Sequence, residues 1–312
     1  MKFSIYQGNR QGARPYNQDR LAYSYSKDSL LLILADGMGG HQRGELAAEM
    51  AIKILTEAFQ RFAVPFLVSP NKFLNDHILQ IHNMIDSFAI ANDMDDSPRT
   101  TVVAAVLQHG ELYCAHVGDS RLYHFRDGRL LHRTEDHSVV QMLYRKGLIK
   151  IEELETHPEK HKIYNCLGGE KMPTIDMMVS HELLDGDTVL LCTDGLWSAI
   201  PDTEINTLFH EKALGETIPK MLALAEARMG ALCDNVSAVG VQWGDPLKAN
   251  ANRQFVSTVT MPMGQTNTII DPIEEKPLTA EKLKIMKDFT DEEIEKSIQE
   301  IQTAIRNVNR PQ

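Results

Sequence analysis

The 312-residue sequence predicts an α+β fold of mainly antiparallel sheet covered by amphipathic helices. Three observations carry this: short runs of β-branched and aromatic residues recur through residues 1–244, tight turn signals join several of them, and two long stretches carry apolar residues at helical spacing.

The runs "LLLILA" (30–35), "TVVAAVL" (101–107), "ELYCAHV" (111–117), "RLYHF" (121–125), "RLLHR" (129–133), "TVLLCT" (188–193) and "VSAVGVQ" (236–242) read as strands. "RDGR" (126–129) is a hairpin signal, and "QHGE" (108–111) joins two further runs just as closely, which favours antiparallel pairing over crossovers. This excludes a Rossmann pattern. In 43–62, Leu46, Met50, Ile54 and Ala58 share one helical side; in 73–92, Leu74, Ile78, Ile81 and Ile85 share another. Such one-sided helices cover sheet faces. Residues 138–170 mix a short helix with polar connections and read as a flap over the sheet ends.

After Trp243 the texture changes. Residues 245–277 have a linker's composition, and 278–312 form a separate amphipathic helical segment. There Thr290 and Glu293 form a capping box, and Ile294, Ile298, Ile301 and Ile305 make an apolar stripe. The stripe needs a partner: its own domain, a second copy or another protein.

A formal net charge of −11 argues against nucleic acid and polybasic membrane surfaces and favours cations as ligands. With no signal-peptide pattern and no membrane-length apolar run, a cytoplasmic protein is the expectation. Cys114, Cys166, Cys192 and Cys233, far apart and without a C-x-x-C pair, read as reduced thiols.

The chemistry lies in aspartates at strand ends: Asp36-Gly37, Asp119, Asp194-Gly195 and Asp234-Asn235. Each alone reads as a turn residue. Brought together by antiparallel strands, they would repel one another unless cations neutralised them. Oxygen donors without a His/Cys cluster suit Mg²⁺ or Mn²⁺, and a pair of such ions would activate water toward phosphorus. In "RPYNQD" (14–19), the Arg14 fork suits phosphate oxygens, and Asp19 adds a further carboxylate.

Seven blocks, "RPYNQDR", "LADGMGGHQRGELAA", "RTTVVAAV", "HVGDSRLYHFRDGRL", "EDHS", "LCTDGLW" and "DNVSAVGV", stand in the order of the bacterial metal-dependent protein phosphatases of type 2C, and residues 1–243 resemble that family. The resemblance implies a sandwich of two sheets flanked by helices, in four α-β-β-α layers, and hydrolysis of phosphoserine and phosphothreonine in proteins by a water held between two Mn²⁺ or Mg²⁺ ions. It further implies bacterial signalling opposite a Ser/Thr kinase. Asp36 resembles the carboxylate bridging both metals, Gly37 the carbonyl ligand of the second, Asp194 and Asp234 ligands of the first, and Asp119 the ligand of a third, weaker metal. Asp19 resembles the acid that organises metal-bound water, and Arg14 the phosphate-binding arginine.

Two positions depart from eukaryotic relatives. Gln18 replaces a glutamate, and Met38 replaces the histidine proposed there as general acid. The leaving-group proton is thereby unassigned, with a metal-bound water and His41 as candidates. A weakly active or inactive binding module acting through its C-terminal helix is the alternative. A haloacid-dehalogenase-like reading fails for want of D-x-D, and a P-loop for want of G-K-[ST].

Overall fold

The computed structural model describes residues 1–38, 43–154, 156–211, 213–244 and 267–270. In chain order the elements are β1 Phe3–Arg10, β2 Asp19–Tyr25, β3 Ser29–Met38, α1 Gly44–Phe62, α2 Pro70–Ala91, β4 Arg99–Thr100, β5 Val102–Gln108, β6 Glu111–Val117, β7 Arg121–Arg126, β8 Arg129–Arg133, α3 Val139–Arg145, β9 Asp176–Glu182, β10 Thr188–Cys192, α4 Asp194–Trp197, α5 Asp202–Glu211, α6 Leu214–Met229, β11 Val236–Trp243 and β12 Asn267–Ile270.

The strands form two antiparallel sheets. One has the order β1-β11-β10-β7-β8, the other β12-β2-β3-β5-β6-β9, with β4 on the end of β3. Strand β3 shows why "LLLILA" is apolar throughout: Leu30, Leu32 and Leu34 face the opposite sheet with Val189, Leu191, Val239 and Val241, while Leu31, Ile33 and Ala35 face α1 and α2. A strand buried on both faces loses its polar alternation. The outer face of the first sheet is covered by α4, α5 and α6 through Leu196, Ile205, Ile218 and Leu222. The layers are therefore α-β-β-α, as the resemblance implied.

All seven predicted strands form, and α1 and α2 occupy the two predicted helical stretches. Elements absent from the sequence reading are β1, β2, β4, β9, β12, α4, α5 and α6. Within 138–170, α3 is capped by Ser138, whose hydroxyl accepts from the Gln141 N–H at 3.2 Å. Residues 267–270, inside the predicted linker, pair with β2 as β12; the rest of 245–266 and the 271–312 stretch bearing Ile294, Ile298, Ile301 and Ile305 lie outside the described residues. The thiols of Cys114, Cys166, Cys192 and Cys233 are free. Among the described residues, no helix is long and apolar enough to cross a membrane.

Candidate metal centre and phosphate site

At one end of the sandwich the strand pairing brings the acidic residues together. Asp19 opens β2 directly opposite Asp36 near the end of β3. Asp194 begins α4 just after β10, Asp234 precedes β11, and Asp119 occupies the β6–β7 connection. These five carboxylates come from five separate chain segments.

Both Asp-Gly pairs read as turns, yet neither glycine has positive φ. A Cβ on Gly37 would stand 2.3 Å from the carbonyl oxygen of Gly44, and one on Gly195 would stand 2.0 Å from that of Asn235. Glycine is required there by backbone approach, which presses α1 and the Asp234 loop against the aspartate-bearing strand ends.

Hydrogen bonds then fix each acid. The Thr193 hydroxyl donates to Asp19 Oδ2 at 3.0 Å, and Thr193 Oγ1 accepts from the Ser237 N–H. The Asp36 N–H donates to Thr101 Oγ1, which also bonds Ser120 Oγ at 2.8 Å, linking Asp36 to the Asp119 loop. Arg14 donates to Asp234 Oδ2 at 2.6 Å and keeps 58% of its side chain open to solvent. The N-terminal loop is tied down by Asn235, whose Oδ1 accepts from the Gln18 N–H while its amide donates to the carbonyls of Gln11 and Tyr16.

The electrostatics show what this convergence costs. Burial, and then the Asp234 charge, push Asp19 up to about 7 against the help of the Thr193 and Ser237 hydroxyls. Burial and the nearby Asp136 push Asp119 up to about 7 as well. Asp36 is raised well above its ordinary value by burial and by the charges of Asp19, Asp194, Asp119 and Asp234. Asp194 is raised by burial, Asp119, Asp234 and Asp19, with Arg14 as an opposing influence. Among the described residues, the Asp19 Oδ1 atom is buried without a hydrogen-bond partner. Crowded hard oxygen donors, one of them orphaned, fit a Mg²⁺ or Mn²⁺ centre.

Two histidines that the sequence reading assigned no role stand beside the acids. His161, from the 138–170 stretch, places Nδ1 3.8 Å from Asp194 Oδ2, and its ring lies over Trp197. His137 of "EDHS" supports the Asp119 loop: its Nδ1 accepts from the Gly118 N–H at 3.1 Å and from the Asn165 amide at 2.7 Å. Asn165 is oriented by bonds to both the N–H and the C=O of Thr174, so Nε2 of His137 carries the proton toward Asp176, 3.2 Å away. That tautomer pairs His137 with Asp176, leaving no ring nitrogen of His137 to bind a metal, while His116 stacks on the His137 ring and places its own Nε2 2.9 Å from the Glu135 carbonyl. Met38 closes β3 without a dissociable proton; Gly39, Gly40 and His41 lie outside the described residues.

Comparison with known proteins decides the family. The model for protein phosphatase 2C matches residues 10–232. The chain belongs to the protein phosphatase 2C family. A serine/threonine phosphatase stp from Listeria welshimeri is 33% identical over 238 residues, 75% of this chain and 93% of that protein. The fold superposes on the S. agalactiae serine/threonine phosphatase with a TM-score of 0.70 at 30% identity, covering 77% of this chain and 99% of that one. It also matches the catalytic domain of the phosphatase PstP in complex with 2 manganese ions, with a TM-score of 0.65 and 28% identity over 77% of this chain and 97% of that domain.

Proposed function

We propose that the chain hydrolyses phosphoserine and phosphothreonine in proteins, opposing a Ser/Thr kinase, with residues 1–244 as the catalytic domain. The observation that carries this reading is the convergence of Asp19, Asp36, Asp119, Asp194 and Asp234, from five segments, beside a half-exposed Arg14. Asp36, Asp194, Asp234 and the Gly37 carbonyl are proposed to hold two Mn²⁺ or Mg²⁺ ions, with Asp19 behind them and Asp119 serving a third. Bound there, the ions would supply the Lewis acidity that makes water a nucleophile near neutral pH and would offset charge on the phosphoryl oxygens.

The chain's own residues do the rest. Arg14 releases Asp234 and turns its fork to two phosphoryl oxygens, orienting the phosphorus toward the acids. Asp19, fixed by Thr193, accepts a hydrogen bond from the attacking water and aligns its lone pair. The 138–170 flap brings His161 to the rim, where the peptide around the phosphorylated residue would pass. Strand β12 runs antiparallel to β2, with Ile270 opposite Ala22. The 278–312 segment is proposed to act on its own domain or through a partner; deletion of 279–312 with measurement of mass and turnover reads out which.

The test of the activity is release of phosphate from a phosphothreonine peptide with Mn²⁺. Wild-type protein turns over, and Asp36→Asn keeps its circular dichroism spectrum but loses turnover. Undiminished turnover in that variant contradicts the reading.

A further inference from the structure

The blocks "LCTDGLW" and "HVGDSRLYHFRDGRL" each carry an acid of the metal centre and, a few residues on, a large side chain with no part in the chemistry above: Trp197 after Asp194, and Arg121 after Asp119. The fold brings these two side chains into contact. Asp194 and Trp197 are the first and last residues of α4, and at that spacing they share one side of its single turn. The indole Nε1–H donates to the backbone carbonyl of Asp119 at 2.9 Å. One indole thus ties the turn that presents Asp194 to the loop that presents Asp119.

The indole is itself held. The Arg121 guanidinium carbon lies 3.7 Å from the ring centroid, a cation–π contact. Arg121 is 9% exposed, and its Nε and Nη2 donate to the two carboxylate oxygens of Asp136 at 2.8 and 2.7 Å, while Nη1 donates to the Tyr123 hydroxyl at 3.2 Å. With its fork taken by Asp136 and its face by Trp197, Arg121 does not turn to a phosphoryl group as Arg14 does. It is a fixed backing for the indole. His161, whose ring also lies beside Trp197, is half exposed on the flap, so the rigid support comes from Arg121.

Each residue of the Gly118–Asp119–Ser120 loop consequently has its own anchor. His137 Nδ1 takes the Gly118 N–H, the Trp197 indole takes the Asp119 carbonyl, and Thr101 Oγ1 bonds Ser120 Oγ. The Asp119 carboxylate takes a hydrogen bond from its own backbone, so its aim follows the backbone of the loop. Thr101, which also accepts from the Asp36 N–H, is the anchor on the Asp36 side. Trp197 is the anchor on the Asp194 side.

We propose, resting on the reading of these acids as a metal centre, that Trp197, backed by Arg121, is a positioning residue: it sets the spacing between Asp119 and Asp194 and thereby the affinity for the cation that Asp119 serves. Groups that orient a ligand from behind govern metal affinity because the donor atoms must be held in place before the ion arrives.

The experiment titrates Mn²⁺ into the metal-free full chain by calorimetry. It is repeated for Trp197→Phe, which keeps a ring against Arg121 and loses the N–H, for Asp119→Asn and for the double variant. Asp119→Asn is expected to remove the weakest binding event. Trp197→Phe should weaken that same event about tenfold or more, leave the tighter ones unchanged, and have no further effect in the Asp119→Asn background. A residue that only stabilised the fold would lower the melting temperature without singling out one binding event. Equal affinities in Trp197→Phe and wild type, a loss that falls on every event alike, or a wild-type isotherm that Asp119→Asn leaves unaltered overturns the proposal. If Trp197→Phe fails to fold, Mg²⁺ titration of Trp243→Phe decides: the chain has two tryptophans, so Trp197 is then the sole indole. Its emission should change with the weakest binding event and stay constant once Asp119→Asn is added, and an emission that never responds overturns the proposal. Binding is read apart from turnover, so a wild type that binds the cations without releasing phosphate contradicts the proposed activity and not the positioning role.

Discussion

Asp19 and Asp187 are both buried aspartates, one at each end of the same sandwich, and their surroundings push them in opposite directions. Burial disfavours charge on both. At Asp187, bonds from Arg126, His124 and the Leu184 N–H outweigh burial and bring the group down to about 2. At Asp19, two hydroxyls do not outweigh burial and neighbouring acids, and the group rises to about 7. A buried acid with its cations supplied by the fold is a structural member. One left facing other acids marks a place where the cation comes from outside.

The largest expected effect lies on the second kind of acid. Asp194→Asn should lower turnover of a phosphothreonine peptide by about three orders of magnitude, or roughly 4 kcal/mol, measured as kcat/KM with Mn²⁺. Asp187→Asn should do the reverse. It takes the negative charge and one of two acceptor oxygens away from Arg126 and His124 and should cost about 3–5 kcal/mol of stability in urea melts, with turnover per folded molecule preserved.

The pH dependence separates the two ends further. A carboxyl raised above its ordinary value of 3.8 binds protons more tightly in the folded protein. The contribution of Asp19 and Asp119 to metal-free stability is therefore full below about 3.8 and lost as pH rises through about 7. For Asp187 the sign is opposite: its contribution is present above 3.8 and lost as pH falls through about 2. Thermal melts in chelator should thus show falling stability from pH 5 to 8, and Mn²⁺ should reverse the slope by displacing the protons. A flat profile in chelator would remove the electrostatic argument for the metal centre.

The smallest effect concerns the flap. His161→Ala, at the rim beside Asp194, should reduce kcat/KM on phosphopeptides several-fold, with little change on a small aryl phosphate that makes no contact beyond the phosphoryl group. Equal effects on both substrates would place His161 at the reacting group instead of at the flanking peptide.

Much of this was legible in the residues. The strands between two covering layers announced themselves, because burial on both faces makes β3, β5 and β10 apolar end to end. β1 was not legible: "FSIYQGNR" mixes exposed Tyr6 with glycine, and Gly8 packs directly beneath the Leu222 side chain, whose Cδ1 a Cβ would meet at 2.6 Å. In α6 the spacing of Leu214, Ile218, Met221, Leu222 and Ala225 is helical, but Gly215 and Pro219 in its first turns read as breakers. β12 is too short and polar at its start to stand out from a linker.

At the site, the aspartates could be named one by one from strand ends, and their roles came from the family resemblance. What no linear reading supplies is the cross-chain bonding: Asn235 holding the 11–18 loop, Thr101 joining Asp36 to the Asp119 loop, and His137 setting the Gly118 turn. These contacts join residues far apart in the chain and carry no local signature. The Asp-Gly pairs illustrate the same limit, since their glycines answer to neighbours brought in by the fold.

The central claim is that the catalytic end stores unbalanced negative charge that only added cations relieve. The most direct measurement is the melting temperature of metal-free Asp36→Asn beside that of wild type and Asp187→Asn. The account predicts that Asp36→Asn melts above the metal-free wild type, gains little from Mn²⁺ and has no turnover, while Asp187→Asn melts well below. If Asp36→Asn instead melts as far below the wild type as Asp187→Asn does, the carboxylates are not mutually strained and the account is contradicted.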